Sequence, residues 1–199
     1  MSTLSTNSIV PVTGTTVTLG ESGDTISIPA GATITNSGTA NNFGGGKVLQ
    51  VVSVTKSDTA SNSSTSFQDI SGLSVSITPS ATSSKLLIFG HINDGLNTSS
   101  SMSYRIMRDS TAIGVGDAAG SRKQASAKSY HPGNSSHSKT TPFSFLDSPN
   151  SSSALTIKIQ MCTQSGATSY INRTSADGND STVYHARGQS TLTVMEIGA

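Results

Sequence analysis

Two histidines are the first residues in this chain whose chemistry suggests a site. His131 and His137 lie close together in a stretch rich in Ser, Gly and Asn. Imidazole nitrogens bind zinc, but a structural zinc site takes four ligands, and this pair matches no common zinc pattern. We therefore predict no metal and no cofactor within one chain. An axial ion held by one histidine from each of three chains stays open as an alternative.

Four aspartates could supply acid or base chemistry if two of them met in space. Glycosidases need two carboxyl groups at a fixed separation, whereas Asp94, Asp109, Asp117 and Asp147 are kept apart by predicted strands and turns. We predict no catalytic residue and expect that the protein is not an enzyme. Depolymerase activity on a polysaccharide is kept as an alternative.

Aromatic and arginine side chains fall in or beside two segments that we predict to be long loops, residues 114–138 and 164–189. Tyr and Arg are enriched where proteins contact their partners. In the second loop, Asp177-Gly178-Asn179-Asp180 lacks the alternating ligands and final Glu of a calcium loop, and it predicts a tight turn. The predicted receptor or partner contacts are Tyr130, His131, Tyr170, Arg173, Tyr184 and Arg187.

The elements that must position these loops are strands. Runs such as Leu73–Ile77 and Leu192–Met195 alternate apolar residues with Ser or Thr, and a period of two is typical of a strand with one buried face. The sequence predicts an all-β protein whose larger part is an antiparallel, jelly-roll-like β-sandwich. The predicted strands are residues 47–55, 66–70, 73–78, 85–92, 102–108, 140–146, 154–161 and 190–197, the last of them central in a sheet, with turn-rich stretches at 57–65, 93–101 and 148–153.

Residues 1–46 differ in character from the rest, and Gly44-Gly45-Gly46 marks the predicted boundary with a knob domain at 47–199. The first part contains three short β triplets, at 17–19, 26–28 and 33–35. Such short strands are marginal alone, so we predict a β-spiral or solenoid-like attachment segment that is completed by other chains; a floppy tail is the alternative. The residues predicted to attach it to a particle are Leu4, Ile9, Val10, Val12, Val17 and Leu19.

Charge is scarce in this chain. Of its 199 residues only 12% are charged, and the net charge is +1. Because no basic stripe is present to neutralise phosphates, we expect neither nucleic-acid binding nor binding to anionic membranes. No stretch approaches the length of a membrane span and the N-terminus resembles no secretory signal, so synthesis in a cytosol is expected. The single Cys162 is predicted to be buried in a strand.

Several segments of the chain resemble a recurrent domain of tailed-bacteriophage virion proteins, found especially in phages of marine and freshwater hosts. The matching segments are Gly46–Val52, Gly72–Pro79 followed by Ser83–Lys85, Phe145–Pro149, Thr191–Ala199 and the fibre-like Gly20–Ile34. Such proteins are commonly tail fibres or other appendages of the particle. The resemblance implies a homotrimeric, β-rich appendage with an N-terminal attachment region and a C-terminal knob.

The composition and the resemblance together predict a structural protein of a phage virion, a homotrimeric short tail fibre or knob that attaches to the host surface. It would be made in the host cytoplasm and assembled on the particle. Its expected partners are other virion proteins, through the N-terminal segment, and a host-surface glycan or protein. The alternatives are a capsid-decorating protein on the phage head, a polysaccharide depolymerase, and a carbohydrate-binding module with no virion.

Overall fold

The computed structural model describes residues 9, 11, 13–18, 21–27, 29–33, 47–133 and 135–198. It divides the chain into two compact units, Met1–Phe43 and Gly44–Ala199. The described residues of the first unit lie in no strand. They contain tight turns, closed by the hydrogen bonds from the Asp24 amide to the Glu21 carbonyl and from the Ala32 amide to the Pro29 carbonyl, both 3.1 Å long. The described residues of the predicted triplets, 17–18, 26–27 and 33, therefore lie in no strand of this single chain.

Two of the predicted attachment residues can be placed in this unit. Ile9 and Val17 are exposed, as expected for short apolar segments that have no strand to pair with. Leu4, Val10, Val12 and Leu19 lie outside the described residues.

Eleven strands make up the described part of the second unit. They are β1 (Val48–Lys56), β2 (Ala60–Asn62), β3 (Gln68–Ile77), β4 (Lys85–Leu96), β5 (Ser99–Arg108), β6 (Thr111–Ile113), β7 (Ala127–Pro132), β8 (Ser138–Asp147), β9 (Leu155–Thr163), β10 (Ser169–Ile171) and β11 (Ser190–Ile197). A single 3₁₀ turn at Val183–His185 precedes β11. No helix in the described residues is long and apolar enough to cross a membrane.

The strands form two antiparallel sheets. Sheet A has the order β1-β11-β4-β10-β2, with β8 on the other side of β4. Sheet B has the order β3-β9-β5-β6, with β7 also paired to β5. Strands β11 and β10 follow each other along the same side of β4, against residues 85–91 and 94–96 respectively. This arrangement confirms the predicted all-β sandwich and the central place of the last strand.

The core lies between the sheets and follows the alternation seen in the sequence. On β4, Leu86, Ile88 and Ile92 point inward and are fully buried. From sheet B they meet residues such as Ile157 and Ile159 of β9. Removing one such side chain from water contributes about 1.5–3 kcal/mol. On β3 and β11 the positions between buried apolar residues carry hydroxyls, such as Ser76 and Thr193, so on these strands the same pattern produces both the core and a neutral surface.

A buried carboxylate fastens the end of β11. Glu196 has no exposed surface, and its Oε1 accepts hydrogen bonds from the amide and hydroxyl of Ser80, at 2.7 and 2.6 Å. Its Oε2 accepts one from Nε2 of Gln50 at 2.6 Å. Burial raises the pKa of Glu196, but the hydrogen bonds from Ser80, Gln50 and Ser84 outweigh it and lower the pKa from 4.5 to about 2. The ionised carboxylate thus joins β11 to β1 and to the loop before β4.

Several boundaries differ from the predictions. Residues 93–101 are not a turn-rich stretch, because β4 continues to Leu96 and β5 starts at Ser99. The two predicted long loops are shorter, since β7 lies inside the first and β10 inside the second. Strands 66–70 and 73–78 are one strand, β3, that bends at Gly72, whose φ is 83°. Cys162 is buried on β9, as predicted, and burial raises the pKa of its thiol.

Candidate functional site

The segment between β10 and β11, residues 172–189, leaves sheet A and returns to the same side of β4; we name it the excursion. Asn172 anchors its start, with a left-handed φ of 63°. The Asn172 amide donates to the carbonyl of Asn93 at 2.9 Å, and its side-chain Nδ2 donates to the carbonyls of Lys56 and Asp58 at 2.8 and 2.7 Å. Its Oδ1 accepts from the hydroxyl of Ser190 at 2.7 Å. Every polar group of this buried side chain is therefore used to fix the loop.

The excursion then packs against the outer side of sheet A. At Gly95 a Cβ would lie 2.6 Å from the carbonyl oxygen of Arg173, so only glycine allows this close approach. Further on, the amide of Ala176 donates to the carbonyl of Ser135, in the turn between β7 and β8, at 2.9 Å. The chain covers this part of the outer face of sheet A with its own loop.

Ion pairs brace the excursion. Asp177 has a left-handed φ of 46°. Its carboxylate forms ion pairs with the guanidinium groups of Arg173, at 3.2 Å, and Arg187, at 2.8 Å. One carboxylate therefore lies between two guanidinium groups that come from opposite ends of the loop. Arg173 also lies over the ring of Tyr170, 4.0 Å from its centre. Although each exposed ion pair contributes little alone, together they hold the two limbs of the excursion in one geometry.

At the tip, Asp180 organises the 3₁₀ turn. Its Oδ1 accepts hydrogen bonds from the amide of Thr182 at 2.9 Å, from the hydroxyl of Thr182, and from Nδ1 of His185 at 2.9 Å. These contacts, the Thr182 side chain first and His185 second, lower the pKa of Asp180 to about 2. The turn presents Val183 and Tyr184 to solvent, with 87% and 50% of their surfaces exposed. An apolar and aromatic tip thus stands on a braced loop.

Four of the six predicted contact residues fall in one continuous segment of the structure. Tyr170, Arg173, Tyr184 and Arg187 belong to the excursion or to the strand that leads into it. Tyr130 is exposed on β7, where its hydroxyl lies 3.0 Å from that of Ser99. The sequence indicated these residues only as members of a loop, and it gave no sign that Asp177 joins two of them.

His131 differs from the prediction, because it lies on β7 and has no exposed surface. Its Nε2 is 2.6 Å from Oδ1 of Asp94, on β4 of the facing sheet. The same oxygen accepts from the hydroxyl of Ser129 at 3.0 Å, and Oδ2 accepts from the hydroxyl of Thr141 at 2.7 Å. Burial and the Asp94 charge raise the pKa of Tyr104 well above its usual value. A residue predicted to touch a receptor instead joins the two sheets.

This buried cluster has residue types used in catalysis but not their arrangement. In a nucleophilic triad the serine hydroxyl bonds to the histidine, whereas Ser129 and His131 both bond to the same aspartate oxygen. Asp94 and His131 are closed off from solvent. Among the described residues, no three His, Cys, Asp or Glu side chains group so as to hold a metal ion. The sequence did not predict this cluster, because Asp94 lies in the stretch 93–101 that was predicted to be rich in turns.

Comparison with known proteins adds no family to this picture. No family model and no curated protein matches the chain. Two solved structures of viral origin are similar to it in part, one titled as the structure of infectious bursal disease virus Gx strain and the other as the T13 IBDV viral particle. Each has a TM-score of 0.40 and 14% identity over 74% of this chain, and the match spans only 40% and 37% of those chains. At these values the likeness supports no functional conclusion, and the class defined by the fold is an antiparallel β-sandwich.

Proposed function

We propose that this chain is a non-enzymatic structural protein of a phage virion, and that its sandwich carries the excursion as a contact surface for the host. The observation that carries the proposal is the tip at Val183 and Tyr184, which is exposed on a loop fixed at its base and braced by ion pairs. A glycan or protein partner would stack on Tyr184 and hydrogen-bond to Arg187. The assignment to a phage virion rests on the sequence resemblance to virion appendages.

A braced loop suits this task for an energetic reason. Binding costs about 0.5–1.5 kcal/mol for every flexible side chain that it immobilises, and a loop already held by Asp177 and Asn172 avoids part of that cost. The remaining affinity of one tip would still be small. Three tips on a homotrimer, and many trimers on a particle, would raise the overall avidity by a factor of about 10²–10⁴ through effective concentration.

The direct test is binding to host cells and to the polysaccharides extracted from their surface, measured by biolayer interferometry with the full chain. We expect the variant carrying Val183→Ser and Tyr184→Ala to lose binding. A matched control is Arg122→Ala, because Arg122 is exposed in the loop between β6 and β7. Equal binding by the tip variant and the wild type would show that the tip is not the contact surface.

Attachment to the particle is assigned to residues 1–46. Because every described strand belongs to Gly44–Ala199, removal of residues 1–46 should leave a folded sandwich that is no longer incorporated into particles. Circular dichroism tests the first part and immunoblots of purified particles test the second. Incorporation of the truncated protein would place the attachment site elsewhere. Electron microscopy of labelled particles distinguishes a short tail fibre from a decoration on the head.

The enzymatic alternative has its own measurement. The protein is incubated with host capsule or lipopolysaccharide, and new reducing ends are quantified over time. We expect none above the rate of a heat-denatured sample. Sustained release would overturn the non-enzymatic function and would direct attention to carboxylates such as Asp117 and Asp109.

A further inference from the structure

An apolar row crosses the outer face of sheet A. The strand register sets Val51 of β1 opposite Met195 of β11, Met195 opposite Leu87 of β4, and Leu87 opposite Leu146 of β8. Residues directly opposite one another in neighbouring strands share a face. Val51 and Leu146, at the two ends of the row, keep 52% and 49% of their surfaces exposed. Four apolar side chains thus line up where a solvated sheet face would carry polar ones.

The rest of this face is neutral as well. The next rows are Ser53, Thr193, Phe89 and Ser144, and then Thr55, Thr191, His91 and Pro142. Neither row contains a carboxylate, a lysine or an arginine, and Lys85 stands beyond the apolar row at the start of β4. The excursion covers the outer face around Gly95, while the apolar row lies on the part near the start of β4 that it leaves open.

We infer that this face is occupied by other copies of the same chain, and that the apolar row is the contact through which the copies associate. The inference rests on the homotrimer proposed above and names its interface. In a closed homotrimer every copy turns the same face towards the threefold axis, so charges on that face would gather there and repel one another, whereas an apolar and hydroxyl-bearing face brings no like charges together. A strongly charged partner would gain nothing from this surface.

The dimensions of the face agree with such a contact. Four strands spaced about 4.8 Å apart, each contributing about 20 Å of length, give a flat area of roughly 400 Å². The accessible area of a corrugated face is larger than its flat projection, and a standard interface takes about 800 Å² from each partner. The outer part of sheet A therefore supplies about half of one copy's share of a standard interface, and neighbouring surfaces must supply the rest.

The two edge strands of sheet A that flank the apolar row, β8 and β1, also differ in a way that fits this contact. Edge strand β8 contains Lys139 and Pro142, two residue types that discourage pairing with another chain. Edge strand β1 has neither a charge nor a proline from Val48 to Thr55. An unprotected apolar edge invites aggregation unless something covers it. A neighbouring copy seated on the row beside Val51 would shield that edge.

The experiment is mass photometry and light scattering of the full chain. We expect the wild type to be trimeric, and Val51→Asp with Leu146→Asp to be monomeric, with the dissociation constant raised at least about a hundredfold. The double variant Val51→Thr with Leu146→Thr keeps β-forming residues at both positions. It should form a weaker trimer than the wild type, while its separated monomer should melt at the same temperature as the wild-type monomer. The matched control is Val183→Asp, an exposed apolar position on the excursion that should leave the trimer intact.

A wild type that is monomeric at every concentration tested overturns the inference, as does an Asp double variant that stays assembled. These failures are distinguishable from failure of the proposed function, which is measured by incorporation into particles and by host binding. A monomeric protein that is still incorporated into particles would refute the interface alone. A trimer that depends on the row but never joins a particle would refute the virion role alone.

Discussion

Replacing Glu196 by Gln should remove a measurable part of the pH dependence of folding. Burial raises the pKa of the Glu196 carboxylate, but the hydrogen bonds from Ser80, Gln50 and Ser84 outweigh it and lower the pKa from 4.5 to about 2. A group with a lowered pKa stabilises the fold above its unfolded pKa and loses that contribution as the pH falls towards its folded pKa. The window for Glu196 therefore runs from about pH 4.5 down to about pH 2.

The magnitude follows from the size of this pKa difference. One pKa unit corresponds to about 1.4 kcal/mol, so the full difference would amount to about 3 kcal/mol of unfolding free energy. Glutamine can keep part of the hydrogen bonding at this position, so we expect about 1–2 kcal/mol of the difference to appear in the variant. The Gln variant should be less stable than the wild type at pH 7 by roughly this amount, and the two should converge near pH 2.

Urea unfolding at pH 7, 4 and 2.5, followed by circular dichroism, measures this difference. Hydrogen bonds also lower the pKa values of other carboxylates, such as Asp69 and Asp180. The difference between wild type and variant isolates Glu196 from them. Glu21→Gln, at an exposed carboxylate of the N-terminal unit, is the control and should follow the wild type. An unchanged gap between wild type and Glu196→Gln from pH 7 to pH 2.5 would refute the reasoning.

Three further substitutions test the cluster and the excursion. Asp94→Ala leaves His131 and Thr141 buried without their acceptor, and should lower the unfolding free energy by about 3–5 kcal/mol; a loss below 1 kcal/mol in urea would contradict the inter-sheet role. Gly95→Ala places a methyl group against the Arg173 carbonyl and should cost about 1–3 kcal/mol, with faster proteolysis after Arg173; an unchanged digest would count against the close packing. Asp177→Asn removes the negative charge between Arg173 and Arg187. It should speed tryptic cleavage at both arginines at least threefold, while the unfolding free energy of the whole protein falls by less than about 1 kcal/mol. Equal cleavage rates would mean that the ion pairs do not brace the loop.

Alternation was sufficient to predict the strands that build the two sheets. The limits of β1, β9 and β11 fall within about two residues of the prediction, because part of each strand alternates apolar and polar residues, at 52–55, 155–161 and 191–194 respectively. Strand β7 was missed, since Ala127–Pro132 carries buried Ser129 and His131 at its inward positions in place of aliphatic residues. The far end of β4 was missed for the same reason, because Asn93, Asp94 and Gly95 are typical of a turn. The alternation of apolar and polar residues therefore does not predict a strand where a core position is polar and its hydrogen-bond partner lies on the facing sheet.

The excursion shows a second limit. Its residue types predicted a loop with contact residues, and Tyr170, Arg173, Tyr184 and Arg187 do lie in or beside it. What the sequence could not give is that Asn172 and Ser190, at opposite ends of the excursion, meet beneath it. That contact depends on β10 and β11 pairing with the same side of β4, which is a property of topology and not of local sequence.

Part of the little charge that this chain has lies in its interior. Asp94, Asp147 and Glu196 are buried. Asp94 and Asp147 join the sheets, the second through its 2.6 Å ion pair with Arg108 of β5, and Glu196 fastens β11 to its neighbours. Charge used in this way stabilises the sandwich but is lost as a guard against association of its surfaces and edges. A chain that buries three of its eleven carboxylates, and leaves an apolar row beside a β1 strand that carries no charge from Val48 to Thr55, should aggregate unless the copies meet in a closed arrangement. The homotrimer that we propose would satisfy that requirement, and it would connect the composition of the chain to its proposed place on a particle.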